Sequence, residues 1–197
     1  MADRVGQIAR TTRETDVRVT VCLDGEGRAE VFTGVGFLDH MLTAFARTSL
    51  CDLAVHCRGD LEVCAHHSVE DVGICLGQAL RQAVGDRAGL RRYGWSLLPM
   101  DGSLARVALD LSGRPYLRWE APLPLQTLGT FPTDLALEFW RAVATNAAWT
   151  LHVDLLALDN AHHGLEAIWK ACGLAFGQAV TADPRIVGPR STKGSLG

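Results

Sequence analysis

Two nearly identical stretches decide the fold: Ala65-His66-His67-Ser68-Val69-Glu70 and Ala161-His162-His163-Gly164-Leu165-Glu166, which lie 96 positions apart. Each stretch opens a run in which apolar residues recur at helical spacing. The runs are Val69, Val72, Leu76, Leu80 and Ala83 in the first copy and Leu165, Ile168, Cys172, Ala175 and Ala179 in the second. A motif that returns at the start of two helices indicates a chain built by duplication of a half-length unit.

The spacing within each motif suits metal binding. Residues four apart share one face of a helix, while adjacent residues diverge by about 100°. His66 can therefore act with Glu70, and His162 with Glu166, while the second histidine of each pair points elsewhere. Imidazole together with carboxylate suits zinc, manganese, iron or nickel and does not single out one of them. A single histidine pair could open a helix by chance, but its repetition favours a metal site.

Composition and charge exclude several classes of function. The chain has 197 residues, of which 48% are hydrophobic and 21% charged, enough for a core of one domain or two fused half-size ones. The net charge of −3 does not favour binding to nucleic acid. The sequence has no stretch of 18 apolar residues, so no membrane-spanning helix is predicted. Six cysteines without a Cys-x-x-Cys pair predict reduced thiols and a cytoplasmic protein.

The two halves share one predicted order of elements. In the first half we expect strands at 15–23, 28–33, 52–57 and 60–64 and a helix at 37–46, before the first histidine helix. In the second half we expect strands at 103–111, 116–119 and 150–156 and a helix at 133–147, before the second histidine helix. The prediction is an α+β fold with half-domain repeats 1–95 and 96–197, each a mostly antiparallel sheet packed against helices.

The repeat also points to further candidate metal ligands. His40 lies 26 residues before His66, and Glu138 lies 24 before His162, each in the earlier helix of its half. A second matched pair, His56 and His152, precedes its double histidine by ten residues on a strand. Both pairs respect the duplication, so symmetry alone does not choose between them.

Several further motifs, in order along nearly the whole chain, resemble those of the imidazoleglycerol-phosphate dehydratase family. They are Arg10-Thr11-Thr12-Arg13-Glu14-Thr15, Gly36-Phe37-Leu38-Asp39-His40-Met41-Leu42, Pro99-Met100-Asp101, Leu111-Ser112-Gly113-Arg114-Pro115 and Ser191-Thr192-Lys193-Gly194, together with the two histidine motifs. The resemblance implies a ribosomal-protein-S5-domain-2-like fold and an enzyme that removes water from imidazole glycerol phosphate in histidine biosynthesis. It also implies two manganese ions, which would act as the electron sink, and a homo-oligomer of 24 subunits with metal sites between them.

The resemblance assigns roles to individual residues. The implied metal ligands are His40, His66, His67, Glu70, Glu138, His162, His163 and Glu166. Glu14 matches the residue that moves the proton, while His56 and His152 fall outside the ligand set and are interpreted as structural. The implied phosphate contacts are Arg92, Arg114, Ser191 and Lys193, the last two in a C-terminal tail. Lys170 is implied as a further lysine on the substrate side.

Five positions depart from the family pattern. A family glutamine and histidine after the Asp-His-Met-Leu motif are replaced by Ala44 and Thr48, an acidic residue by Cys64, a glutamate by Gly102 and a histidine ligand by Glu138. These changes are compatible with a divergent lyase or isomerase that acts on a different azole or aromatic glycerol phosphate. A catalytically dead assembly subunit is a third hypothesis, but retention of Glu14 and of the phosphate residues argues against it.

Overall fold

The computed structural model describes residues 4–194, and within them two four-stranded sheets surround four helices. The first half consists of β1 (Val5–Thr11), β2 (Thr15–Cys22), β3 (Ala29–Phe32), α1 (Gly36–Ser49), β4 (Asp52–Gly59) and α2 (His66–Val84). The second consists of β5 (Tyr93–Met100), β6 (Ser103–Asp110), β7 (Tyr116–Glu120), the short pair β8 (Thr127–Leu128) and β9 (Phe131–Pro132), α3 (Leu135–Ala147), β10 (Thr150–Ala157) and α4 (Ala161–Val180). Apart from the β8–β9 pair, the two halves follow the same order.

The two sheets have the same topology. The strand orders are β1-β2-β4-β3 and β5-β6-β10-β7, and in each sheet two of the three pairings are antiparallel. The pairings of β3 with β4 and of β7 with β10 are parallel, with α1 and α3 as the respective crossovers. The expected α+β fold, with mostly antiparallel sheets packed against helices, is therefore confirmed.

The helices join the two halves. The later helix of each half covers the first two strands of its own sheet, α2 on β1 and β2 and α4 on β5 and β6. The earlier helices reach across, because α1 packs on α4 and α3 packs on α2. The contacts are close: a Cβ atom added at Gly77 of α2 would lie 2.7 Å from the carbonyl oxygen of Val143, and one at Gly173 of α4 would lie 2.7 Å from that of Phe45. The helices therefore form one core between the sheets.

All the residues that set the helical periodicity of the two histidine helices are buried in this core. The two most deeply placed tryptophans, Trp140 and Trp169, are fully buried, with ring centroids 5.3 Å apart. Trp149 is also buried, against Phe176. Burial of large aromatic side chains contributes much of the hydrophobic stabilisation of such a core.

The four helices begin at one end of the molecule. The β3–β4 pairing is parallel and β4 ends at Gly59, so α1 and α2 both start beyond the same edge of the first sheet. His40, early in α1, contacts Glu166, early in α4, which brings the start of α4 to this end. In the α2–α3 pair, Gly73 lies against Phe139 and Gly77 lies against Val143, so these helices also run in the same direction.

The structure corrects three details of the sequence prediction. Residues 60–64 form a turn rather than a strand, because Val63 donates to the carbonyl of Asp60 and this segment has no neighbouring strand. Glu14 lies in the turn between β1 and β2. The strands β1 and β5 were missed. In β5 the alternation is inverted, with Gly94 and Ser96 facing α4 and Trp95 exposed.

Three further expectations concern the boundary between the halves, the cysteines and membrane spans. The expected division between residues 95 and 96 falls inside β5, so the first sheet gives way to the second before Tyr93. All six cysteines are free thiols. Within residues 4–194, no helix is both long enough and apolar enough to cross a membrane.

The contact between β5 and α4 gives a test of the packing. A Cβ atom at Gly94 would lie 1.8 Å from the carbonyl oxygen of Ala175, so Gly94→Ala forces the helix away from the sheet. Overpacking of this kind costs about 2–3 kcal/mol. We expect the variant to unfold at a clearly lower urea concentration at matched protein concentration. Gly36→Ala is the control, because the methyl group that it adds would point into open space; an equal loss there would contradict the packing argument.

Candidate metal centre and catalytic residues

Three predicted ligands meet at the starts of α1 and α4. His40 Nε2 and His162 Nε2 lie 3.4 and 3.3 Å from the same oxygen of Glu166. The ligand atoms of all three residues lie within 4.8 Å of one another, which no other group of three described histidine, cysteine or acidic residues achieves. We call these three residues the α1–α4 cluster. The histidine side chains are almost half exposed, so the cluster opens to the surface.

The carboxylate of this cluster is kept anionic by its neighbours. Glu166 is buried, and burial alone raises its pKa. Lys170 Nζ donates to Glu166 Oε1 at 2.6 Å, and this contact together with His40 brings the pKa below its ordinary value. The carboxylate of Glu166 is therefore charged at neutral pH. Lys170, predicted as a substrate-side residue, lies beside the α1–α4 cluster and also contacts the sulfur of Met100.

A second group lies at the start of α2. His66 Nε2 lies 3.5 Å from Glu70, as the spacing of four residues predicts. The adjacent His67 turns away and contacts Asp60 through Nδ1 at 3.0 Å, while its Nε2 lies 3.9 Å from Glu14. We call His66, His67 and Glu70 the α2 cluster. The structure therefore brings the predicted base Glu14 to this cluster.

The second half repeats the environment of His67. His163 Nδ1 lies 2.8 Å from Asp159, and its Nε2 lies 3.7 Å from Asp101. Asp101 lies in the turn between β5 and β6, and Glu14 lies in the matching turn between β1 and β2. The rings of His67 and His163 therefore each lie between two carboxylates, one from the loop before the helix and one from a hairpin turn. Hydrogen bonds to Asp60 and Asp159 raise the pKa values of His67 and His163 respectively.

Glu138 has a different partner. It lies in the first turn of α3, as His40 lies early in α1, so the two positions correspond between the halves. Its two carboxylate oxygens accept from Arg141 Nη1 at 2.6 and 2.7 Å. Glu138 belongs to no group of three close ligands among the described residues. Its carboxylate is therefore held by an arginine one turn along the same helix.

The predicted phosphate residues lie far from the α1–α4 cluster. Arg92, just before β5, is buried and donates to both oxygens of Asp110, and its third nitrogen donates to the carbonyl of Arg190. Asp101, beside His163, follows the other end of β5, nine residues away along an extended strand. At about 3.3 Å per residue the two ends are separated by about 30 Å.

The other predicted phosphate residues lie at the Arg92 end. Pro189 pairs with Ala88 in an isolated bridge, which lays the C-terminal tail alongside the segment that precedes β5. The hydroxyl of Ser191 accepts from the backbone of Lys193, and the side chain of Lys193 is exposed. Arg114 is exposed in the loop after β6, where Leu111 donates to the carbonyl of Arg92.

The structure explains two of the departures from the family pattern. A Cβ atom at Gly102 would lie 2.8 Å from the Cβ of Asp159, so a glycine there leaves room for the carboxylate that contacts His163. The hydroxyl of Thr48 donates to the carbonyls of Ala44 and Phe45 and lies against Gly173. Ala44 and Thr48 thus lie where α1 packs on α4. Cys64 is exposed in the turn before α2, and nothing in the structure explains its identity.

Sequence reasoning missed the aspartates that contact His67 and His163. Asp60 and Asp159 stand seven and four residues before their histidines, so their spacing differs and no repeat reveals them. The usable signal is their position in the short loop that joins a strand to a histidine helix. His56 and His152 lie on β4 and β10 against Phe32 and Tyr116, outside both clusters.

Comparison with known proteins gives a consistent result. Residues 33–176 match the family model described as imidazoleglycerol-phosphate dehydratase. A protein of that name from Symbiobacterium thermophilum is 56% identical over all of this chain and 94% of its own length. One from Acetivibrio thermocellus is 53% identical over 98% of this chain and its whole length.

Solved structures show the same relationship. The imidazoleglycerol-phosphate dehydratase of Staphylococcus aureus superposes with a TM-score of 0.82 at 43% identity, covering 91% of this chain and 99% of that one. The enzyme of Pyrococcus furiosus superposes with a TM-score of 0.83 at 36% identity, covering 96% of this chain and all of that one. With sequence and fold matched over nearly its whole length, the chain belongs to the imidazoleglycerol-phosphate dehydratase family and is a hydro-lyase.

Proposed function

We propose that this enzyme dehydrates D-erythro-imidazole glycerol phosphate to imidazole acetol phosphate in histidine biosynthesis. The observation that carries the proposal is the pair of imidazole–carboxylate clusters at one end of the helices, with the carboxylate of Glu14 beside His67. The full-length relatives that bear the dehydratase name support the reaction.

We propose two manganese ions as the metal cofactor. The α1–α4 cluster offers two imidazoles and one anionic carboxylate within 4.8 Å, a donor set that fits Mn²⁺ and leaves positions open for other ligands. Bound to the imidazole ring of the substrate, such ions would supply the electron sink that the reaction needs. The chain would hold them through His40, His66, His67, Glu70, Glu138, His162, His163 and Glu166.

Glu138 would be the ligand that α3 contributes. Its position in α3 corresponds to that of His40 in α1, and its carboxylate oxygens have lone pairs beyond those that accept from Arg141. A carboxylate is a ligand that Mn²⁺ accepts readily.

Glu14 would move the proton. It lies in the β1–β2 turn, more than half exposed, and Thr12 Oγ1 accepts from its backbone nitrogen. Thr15, next along the turn, donates from its hydroxyl to the buried Asp71 of α2. This bond ties the turn to the helix that carries the α2 cluster, so Glu14 can act as a base at the surface that the substrate would reach.

The phosphate would be bound by Arg92, Arg114, Ser191 and Lys193, with Lys170 near the metal end. Because Arg92 and Asp101 are about 30 Å apart along β5, one chain cannot place its phosphate residues and its α1–α4 cluster on the same small substrate. The site would therefore combine residues of different copies.

We propose a homo-oligomer, of 24 subunits as the family resemblance implies, with sites between subunits. The outer face of β5 supports assembly, because Trp95 and Leu97 are 68% and 61% exposed in the single chain. A cytoplasmic location is supported by the six free thiols, which are typical of a reducing compartment.

The assignment of Glu14 is tested by Glu14→Gln in the manganese-loaded protein. The amide cannot take a proton, so turnover of imidazole glycerol phosphate should fall about 10²- to 10⁴-fold. Glu26→Gln, an exposed glutamate beside Arg28, should keep wild-type turnover. If the wild type binds manganese but does not turn over this substrate, the alternative of another azole or aromatic glycerol phosphate gains support.

The shared site is tested by mixing two inactive variants. His162→Ala removes a metal ligand, and Lys193→Glu repels the phosphate. If the site takes these residues from different copies, random co-assembly of the two variants leaves about a quarter of the sites intact, so activity should return. Co-expressed variants that are no more active than either alone would place the site within a single chain.

A further inference from the structure

Two histidines of the clusters make the same contact with an aspartate. His163 Nδ1 lies 2.8 Å from Asp159, and His67 Nδ1 lies 3.0 Å from Asp60. An ionised carboxylate can only accept a hydrogen bond, so Nδ1 must carry the proton in both rings. The lone pair of each neutral ring is then on Nε2, the nitrogen that faces Asp101 or Glu14.

The two histidine–aspartate contacts are formed by loops of different length. Between β10 and α4 the junction has three residues, 158–160, and between β4 and α2 it has six, 60–65. The aspartate stands four residues before the histidine in one loop and seven in the other. Two loops of unequal length that deliver a carboxylate to the same ring nitrogen indicate a requirement of the site rather than a by-product of the repeat.

Each aspartate is fixed by its surroundings. Asp159 accepts from Ser103 Oγ at 2.6 Å and from the backbone of Asn160, while its own backbone nitrogen donates to Ser103 Oγ. The absence of a side chain at Gly102 leaves the space that Asp159 fills. Asp60 donates from its backbone nitrogen to the carbonyl of Glu14, so it also ties the turn of Glu14 to the start of α2.

His163 Nδ1 has a second polar neighbour. The amide nitrogen of Asn160 lies 2.9 Å from the same Nδ1. A deprotonated Nδ1 would accept from Asn160 but would face the carboxylate of Asp159 at 2.8 Å, lone pair against charge. The charge-assisted bond to the carboxylate is the stronger of the two, so Nδ1 is the donor.

We propose that Asp159 and Asp60 are positioning residues, which fix His163 and His67 in the tautomer and orientation that present Nε2 to a divalent metal ion. The inference rests on the metal site of the proposed function and assigns a role to two residues outside its ligand set. A carboxylate behind a ligating imidazole also makes the ring a stronger donor.

The test is a titration of metal-free protein with Mn²⁺, followed by calorimetry and by the loss of the free-ion paramagnetic resonance signal. Loss of an orienting partner typically lowers metal affinity about 10- to 100-fold, and we expect this for Asp159→Ala and for Asp60→Ala. Asp159→Asn, which keeps an acceptor oxygen, should lose less. Asp24→Ala removes an exposed aspartate paired with Arg4 and should bind as the wild type does.

A double-mutant cycle separates positioning from a general structural effect. If Asp159 acts through the ring of His163, Asp159→Ala should weaken binding in the wild type and have no further effect in a His163→Ala background. The same further loss in both backgrounds would overturn the inference. The melting temperature of each metal-free variant shows whether the fold is retained, and Asp159→Asn serves if the alanine variant does not fold.

The outcomes for the two proposals are distinct. If the wild type does not bind Mn²⁺, the metal site of the proposed function is wrong, and the inference falls with it. If the wild type binds and the Asp159 and Asp60 variants bind equally well, the metal site stands and the positioning role alone is wrong.

Discussion

The parallel packing of helices across the two halves is the constraint on which the rest of the structure depends. α1 packs on α4 and α2 on α3, with helix backbones in close contact at Gly173 and Gly77. Because each pair runs in one direction, their N-terminal turns meet at the same end, and those turns carry the histidines and glutamates. A side chain at Gly173 would separate α1 from α4, and with them His40 from Glu166, which now lie 3.4 Å apart.

The carboxylates of the two clusters lie near the starts of their helices. Glu70 and Glu166 follow the first turns of α2 and α4, and Glu166 is paired with Lys170. The aspartates that follow β4 and β10 add negative charge behind the histidines. The result is an electronegative end with imidazole nitrogens at its surface, which suits divalent cations.

Two of the positions that diverge from the family pattern, Gly102 and Thr48, are understood through contacts between distant segments. Gly102 appears in the sequence as a lost glutamate, but in the structure it makes room for Asp159, 57 residues later in the chain. Thr48 appears in the sequence as a lost histidine, but in the structure its hydroxyl donates within its own helix and lies against Gly173. The strand β5 was not predicted for a related reason. Over its first half α4 approaches so closely that Gly94 and Ser96 occupy the inner face, while the apolar Trp95 and Leu97 point outward.

The sequence by itself determined the duplication, the α+β fold, the helical faces and the pairing of His66 with Glu70 and of His162 with Glu166. These follow from local periodicity, since a helix places residues four apart on one face whatever surrounds it. Only the tertiary structure decided that His40 joins His162 and Glu166, that Asp60 and Asp159 hold the second histidines, and that Arg92 lies an entire strand away from the α1–α4 cluster. These depend on strand register, loop length and the packing of helices from different halves, which bring together residues that no sequence spacing connects.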